Sequence, residues 1–347
     1  MSVPTEPSAR REATSSRSRY RKQPIDQNVP PISASRLLSI PSTRPGRSLR
    51  QHPIDPHPTK FYGDEVIQKS PSTTRIFFQN VKGLTYTTSQ EYYRYYMSCL
   101  QSLDVNTAGL SETNACWNHA HLRSEFHSAV RRYYQQSRIV YGSPSAAVDP
   151  CPTSKTYQAG GNITMVTGSL TSRSLGKQHD DPTGLGRWSG ITLKLPQSKR
   201  LTLITAYHVC SGSPSSSSLG SSFIREYEFL RKQQPPCLNP RRQFLIDLQK
   251  SIQSLQVSGN AILLMLDANS CLKSDRHFAE FVQLCGLHDL HLSDPAPSTF
   301  IGAADRRIDF MFGCDTVLQH LARSGTLSYI DLLISPLISH PRHIGPR

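Results

Sequence analysis

The sequence predicts an α/β layered domain of about 270 residues following a polar N-terminal tail. Three observations predict it. From about residue 71, apolar runs of strand character alternate with segments whose apolar residues recur at helical spacing. Several of those runs end in a carboxylate, a carboxamide or a tyrosine, the placement expected of a ligand-binding edge. The first 70 residues share none of this texture.

The elements follow in order. Thr74–Gln79 reads as a strand by its apolar and aromatic content, and Ser89–Leu103 as a helix with Tyr92, Tyr96 and Leu100 on one face. Val105–Leu110 is a second strand. His119–Gln136 is a second helix, carrying Leu122, Phe126, Val130 and Tyr133 at helical spacing. Gly160-Gly161-Asn162 turns into a strand running to Thr167. Trp188–Leu195 and Leu201–Tyr207 are two strands joined by a Pro-Gln-Ser-Lys turn, and the Ser/Gly-rich stretch 211–222 is a loop. Helical segments span about 223–234 and 241–256, separated by Pro235-Pro236. Ala261–Leu266 is a short apolar strand of the buried-sheet kind. Asp275–Cys285 is a helix with Phe278, Phe281 and Val282 inward, Ile308–Phe312 a strand, and Thr316–Ala322 a last short helix.

Composition sets the tail apart. Residues 1–70 hold 12 Lys/Arg against 6 Asp/Glu, and 10 of the 25 prolines, with little apolar content to offset the entropy of ordering them. This segment is expected to be disordered, with the domain covering 71–347. Its run Arg17-Ser18-Arg19-Tyr20-Arg21-Lys22 reads either as a nuclear-import or nucleic-acid contact patch or as a solvated tail. The whole chain carries a net charge of +14, which favours a polyanionic partner, nucleic acid or an anionic surface. Eight single cysteines without a Cys-x-x-Cys pair predict neither a zinc site nor a disulfide framework, and point to a reducing compartment. No apolar run is long enough for a membrane span, and no signal-peptide core is present, so an intracellular location, nuclear if the basic run is an import signal, is expected.

The candidate chemistry lies in the strand ends. Asn80 and Glu112 close the first two strands, and Asp267 and Asn269 close the buried Ile-Leu-Met strand. Oxygen donors in such positions suit a hard divalent cation and a phosphate. Asp309 lies between Ile308 and Phe310, where an isolated charge is costly unless it meets a histidine, a metal or an arginine, with Arg306 and Arg307 the nearest candidates. Tyr207 is either a half-buried aromatic or a hydroxyl donor to phosphate. The tyrosines of Tyr92-Tyr93-Arg94-Tyr95-Tyr96 are read as core or groove-lining more readily than as a stacking platform for bases. His119-Ala120-His121 and His288-Asp289-Leu290-His291 lack partners at ligand spacing and are read as loop or surface histidines.

Together these motifs resemble the endonuclease/exonuclease/phosphatase superfamily, and within it the endonuclease domains of LINE-type retroelements. The resemblance covers about residues 74–330 and rests on Gln79–Leu84, Ser111–Thr113, Tyr207, Asp267 with Asn269, Ser298–Phe300 and Arg307–Asp309, in that order. It implies a layered sandwich of two mainly antiparallel β-sheets flanked by helices. It also implies Mg²⁺- or Mn²⁺-dependent hydrolysis of phosphodiester bonds in DNA or RNA. Glu112 would hold the metal with help from Asn80, and Asp267 would orient or deprotonate water. Asn269 and Tyr207 would contact the phosphate, Asp309 would orient a catalytic histidine, and Gly160–Asn162 would be structural.

Two positions depart from the pattern. Lys82 occupies the place of an Asp in abasic-site endonucleases, which argues against that activity. The family's closing Ser-Asp-His does not follow Gly325–Tyr329; Ser339-His340-Pro341 is a partial match, and His340 or His343 is the candidate substitute. A frame change, a truncation or decay of a mobile element would leave such an ending. The sequence therefore leaves open an impaired endonuclease, an inactive nucleic-acid-binding remnant, and a phosphatase of inositol phosphates or sphingolipids.

Overall fold

The computed structural model describes residues 68–84, 90–151, 156–215, 217–218, 220–291, 299 and 306–326. Nearly all of the tail assigned to 1–70 lies outside this range, as do Ser298, Phe300, His340 and His343. Two sheets form the centre, as the resemblance implies. Strands β1 (Ile76–Asn80), β2 (Thr107–Ser111), β3 (Ser137–Gly142) and β4 (Asn162–Thr167) make a four-stranded sheet in the order β1-β2-β4-β3. Strands β5 (Ser174–Gln178), β6 (Trp188–Lys194), β7 (Arg200–Tyr207), β8 (Asn260–Asp267), β9 (His288–Asp289) and β10 (Asp309–Gly313) make a six-stranded one in the order β5-β6-β7-β8-β10-β9. Each sheet contains one parallel pair, β1 with β2 and β7 with β8, and every other pairing between named strands is antiparallel. In each parallel pair the chain crosses over through helix: α1 (Gln90–Ser102) in the first, α3 (Ser222–Leu230) and α4 (Pro240–Val257) in the second.

Side-chain alternation along the strands sorts the apolar residues into three layers. Ala108, Leu110, Ile163 and Met165 face outward onto α1 and α2 (Ala120–Tyr133), where Tyr96, Leu100, Phe126 and Val130 meet them. Ile204, Leu264, Leu266, Phe310 and Phe312 face the other way, onto Phe244, Leu248 and Ile252 of α4 and Phe278 and Phe281 of α5 (Arg276–Leu284). Between the sheets, Val140, Val166, Ile191, Leu203, Leu263 and Met265 form the central layer, with Ile76, Phe78 and Met311 against it. The sheets approach closely at Gly109, where an added Cβ would stand 2.6 Å from the Met265 sulfur and 2.8 Å from the Thr205 hydroxyl. Thr164 joins the sheets through polar contacts, its hydroxyl 2.8 Å from Thr205 Oγ1 and 2.9 Å from the Ser189 carbonyl.

The helices start where the sequence supplies caps. Ser221, Asn239 and Asp275 accept the amides of Ile224, Arg242 and Phe278 at 3.3, 3.0 and 3.1 Å, and Pro240 occupies the first turn of α4. Arg187, ahead of β6, is buried and donates to Asp181 at 2.6 Å and to Asp247 of α4 at 2.9 Å. Burial works against the Asp181 charge, but the Arg187 hydrogen bonds hold its carboxyl below the usual range. Glu226 of α3 is buried beside this network, and burial pushes it up to about 7.

Several sequence expectations need correction. The second helix ends at Tyr133, and β3 follows within four residues, because Ile139 and Val140 are needed on the two faces of the first sheet. Strands β5 and β9 were also unmarked. The expected last helix, 316–322, forms only as Asp315–Leu318 (α6), and the expected 223–234 helix stops at Leu230. Tyr93 and Tyr96 are core, as expected, with the Tyr96 hydroxyl donating to Gln79 at 2.9 Å.

Candidate active site

The alternation that builds the central layer also aims the polar strand ends. Asn80 continues the inward series Ile76, Phe78; Tyr207 continues Leu203, Thr205; Asp267 continues Leu263, Met265; Asp309 precedes Met311. In the second sheet Tyr207, Asp267 and Asp309 stand side by side, because register pairs Asp267 with Tyr207 on β7 and with Asp309 on β10. All four emerge at one end of the cleft between the sheets.

Asn80 joins the two sheets there. Its amide nitrogen donates to Glu112 Oε2 at 2.7 Å and to Asp267 Oδ2 at 2.8 Å, so two carboxylates 155 residues apart in the chain face one another across a single nitrogen. The Asn80 oxygen is turned away and accepts the Lys82 amide at 2.9 Å. In this arrangement Asn80 is a donor that bridges carboxylates; the metal-ligand role expected for it would need the oxygen to turn inward.

The turns beyond the strands carry backbone conformations that L-residues rarely adopt. Lys82 (φ 48°), Glu112 (φ 53°), Asn114 (φ 52°) and Asn269 (φ 44°) are all left-handed, at the ends of β1, β2 and β8. Glu112 is aimed by this turn, which the Gly160-Gly161 pair secures. The Thr113 amide donates to the Gly161 carbonyl, the Asn114 amide to the Gly160 carbonyl, and the Gly160 amide to the Asn114 side chain. Gly160 has φ +84°, and a Cβ there would lie 2.8 Å from the Ser222 hydroxyl. The structural reading of this glycine pair therefore holds.

Electrostatics mark the cluster as unusual. Burial, then the Asp309 and Glu112 charges, hold the Asp267 carboxyl well above the usual range. Burial pushes Asp309 up to about 6, opposed by a hydrogen bond from Thr299 and reinforced by Glu112. Its Oδ1 is buried and has no hydrogen-bond partner among the described residues. The ion pair with Arg307, one of the alternatives for Asp309, does not form, because that guanidinium makes a two-pronged bond to Asp289 at 2.5 and 2.8 Å. Tyr207 is buried, and its hydroxyl is raised well above its usual range by burial and then by Glu112. The Asn269 amide donates to the His208 carbonyl at 2.8 Å, its oxygen accepts from Cys210, and its backbone amide donates to Asp267 Oδ1 at 3.2 Å. One of its two amide hydrogens remains for a ligand.

Sequence reasoning missed two histidines. His208 is fully buried, stacked on Phe244 with centroids 4.7 Å apart, and its ring nitrogens lie 2.7 Å from the Ala268 carbonyl and 3.1 Å from the Arg241 carbonyl. Burial, then Arg241, lowers it to about 3; the neutral ring has one N–H to give, and the shorter contact, to the Ala268 carbonyl, is the one that braces the turn carrying Asn269. His119, expected at the surface, is also buried. Two adjacent carbonyls or cysteines leave no periodic signal in a sequence, so neither burial could be read there.

No protein-family model and no curated protein matches the chain. Solved structures do. It is similar to an AP endonuclease from Leishmania major (14% identity, TM-score 0.48, covering 71% of this chain and 80% of that one). It is similar to an endonuclease/exonuclease/phosphatase family protein from Leptotrichia buccalis (12%, 0.43, 70% and 87%). It is also similar to the endonuclease domain of TRAS1, a telomere-specific non-LTR retrotransposon (12%, 0.42, 71% and 86%).

Proposed function

We propose that the chain is a divalent-metal-dependent phosphodiesterase of the endonuclease/exonuclease/phosphatase type, acting on nucleic acid. The observation that carries this reading is the Asn80 amide held between Glu112 and Asp267, which brings the ends of two sheets to one polar point. The residues fit a hard cation. Glu112, Asp267 and Asp309 supply oxygen donors only, they repel one another, and a buried Asp309 oxygen lacks a partner. A cation there would rest on Glu112 and be completed by phosphate oxygens and water. A Mg²⁺ or Mn²⁺ ion held there would neutralise charge building on the phosphate.

The chain's own groups take the remaining tasks. Asp267, fixed by Asn80 and by the Asn269 amide, orients the attacking water and accepts its proton at a carboxylate oxygen. The spare Asn269 amide hydrogen and the Tyr207 hydroxyl donate to the phosphate. The Oδ1 of Asp309, which has no hydrogen-bond partner among the described residues, is where a histidine would be held, and a chain lacking that histidine would lose about 10²–10³ in rate. Slow turnover would follow. The same bare oxygen favours the second reading, an inactive nucleic-acid-binding remnant.

The net charge of +14 supports a nucleic-acid partner over a small phosphorylated one. Plasmid nicking by the full chain, with Mg²⁺ and with EDTA, tests the proposal. Slow metal-dependent nicking that disappears in Asp267→Ala is expected. Binding without any nicking would establish the remnant, and neither binding nor nicking would refute both.

A further inference from the structure

Outside the carboxylate cleft, one cluster of reactive side chains takes no part in the chemistry above. Cys116, His119 and Cys151 each bring one ligand atom within 4.8 Å of the others. Sequence spacing hid this group, since Cys151 joins from 32 residues beyond His119. Cys116 is buried just past the Glu112 turn, where Ala115 pairs with Tyr157 and the Cys116 amide donates to the Thr156 carbonyl at 2.9 Å.

His119 supplies the decisive detail. It is the N-cap of α2, where a Ser, Thr, Asp or Asn would normally accept a first-turn amide, yet its side chain makes no such bond. It is 7% exposed. Its Nε2 lies 3.1 Å from the Cys151 carbonyl, which can only accept, so Nε2 carries the hydrogen. The lone pair is then on Nδ1, which is buried with no hydrogen-bond partner among the described residues. A metal-binding histidine has this form, with one nitrogen donating to a carbonyl and the other free to coordinate.

We propose that Cys116 Sγ, Cys151 Sγ and His119 Nδ1 form a Zn²⁺ site. Two thiolates and an imidazole are zinc donors, and the three leave a fourth position for water or an outside ligand. Tetrahedral bond lengths place such donors about 3.5–3.8 Å apart, so binding asks the two loops to close by no more than about 1 Å. Both thiols lose their protons, so two protons are released per ion and affinity rises with pH. The ion ties the turn that aims Glu112 to the segment that carries Cys151, which Asn118 already joins through a 2.5 Å bond to the Pro144 carbonyl. Its role is to brace the cleft.

The test uses the full chain purified with a reductant and dialysed against Mg²⁺ buffer stripped of transition metals. Titrated Zn²⁺ should bind with one ion per chain, and Co²⁺ in its place should give thiolate charge-transfer absorption. Cys151→Ser and His119→Ala should each weaken Zn²⁺ by more than about 100-fold, beyond what loss of an outer-shell partner costs. Cys271→Ser should leave it unchanged. Cys151 is only half-buried, so its variant keeps the test open if Cys116→Ser fails to fold. Circular dichroism checks folding of each. Absence of stoichiometric Zn²⁺ binding by the folded, reduced chain would overturn the proposal, as would equal binding by Cys151→Ser and His119→Ala. A Cys116–Cys151 disulfide forming in air, with no Zn²⁺ uptake after reduction, would also overturn it in favour of a redox pair.

Discussion

Asp309→Asn should stabilise the protein while removing whatever activity it has. In the folded chain burial lifts the Asp309 carboxyl from 3.8 to about 6. The native state therefore holds that proton more tightly than the unfolded state, and stability is lost as pH rises from about 4 through 6. A shift of roughly two units corresponds to about 3 kcal/mol at pH 8, where the unfolded chain ionises freely and the folded chain ionises at a cost. Asparagine removes the charge at nearly constant shape. Asp267, which Asp309 raises by repulsion, is relieved as well. Urea denaturation with EDTA, at pH 4.5 and pH 8, measures the effect through the transition midpoint at constant slope. The gain should be near its full value at pH 8, small at pH 4.5, and reduced when Mg²⁺ compensates the wild-type carboxylates. A loss of stability at pH 8, or a gain equal at both pH values, would refute the reasoning, because it would mean that the carboxylate is not held against its charge.

Other consequences can be measured alongside. Asn80→Ala removes the donor shared by Glu112 and Asp267, and should cost about 1–3 kcal/mol at pH 8 and much less at pH 4.5, by the same denaturation series. Arg187→Ala leaves the buried Asp181 and the half-buried Asp247 without their cation and should destabilise by about 3–5 kcal/mol, read as a large fall in melting temperature. Gly160→Ala, at φ +84° with Ser222 2.8 Å away, should cost more than about 1 kcal/mol and lower Mg²⁺-dependent nicking, because the Glu112 turn rests on it. Binding to DNA or RNA should weaken steeply between 50 and 200 mM salt, about 10³-fold or more for six phosphate contacts; a flat response would remove nucleic acid as the partner.

Much of this fold was legible because its strands are short, apolar and punctuated. β7 and β8 alternate or run apolar up to a terminal polar residue, and that residue is what placed Tyr207 and Asp267 at the cleft. Tertiary demand hid the rest. Ser137–Gly142 follows a helical pattern so closely that its strand character shows only when β4 is there to pair with it. β9 is two residues long and exists through its pairing with β10. Which atom of Asn80 faces the carboxylates depends on Lys82 taking its oxygen, and Arg307 pairs with Asp289, distant in sequence, in place of its near neighbour Asp309. Residue types at strand ends reveal where a site lies. Hydrogen-bond partners decide what each residue does in it.

The Asn80–Asp267 bond has one more consequence, in the order of synthesis. It closes over 187 residues, and Asp309 joins from beyond it. Contacts of that separation form late, after the local pairings that lower the cost of loop closure. Chain elongation at about 5–20 residues per second leaves the β1 end without its partner for tens of seconds after it emerges. Through that interval the nascent chain has no assembled cleft, because Asp267 and Asp309 have yet to reach Asn80.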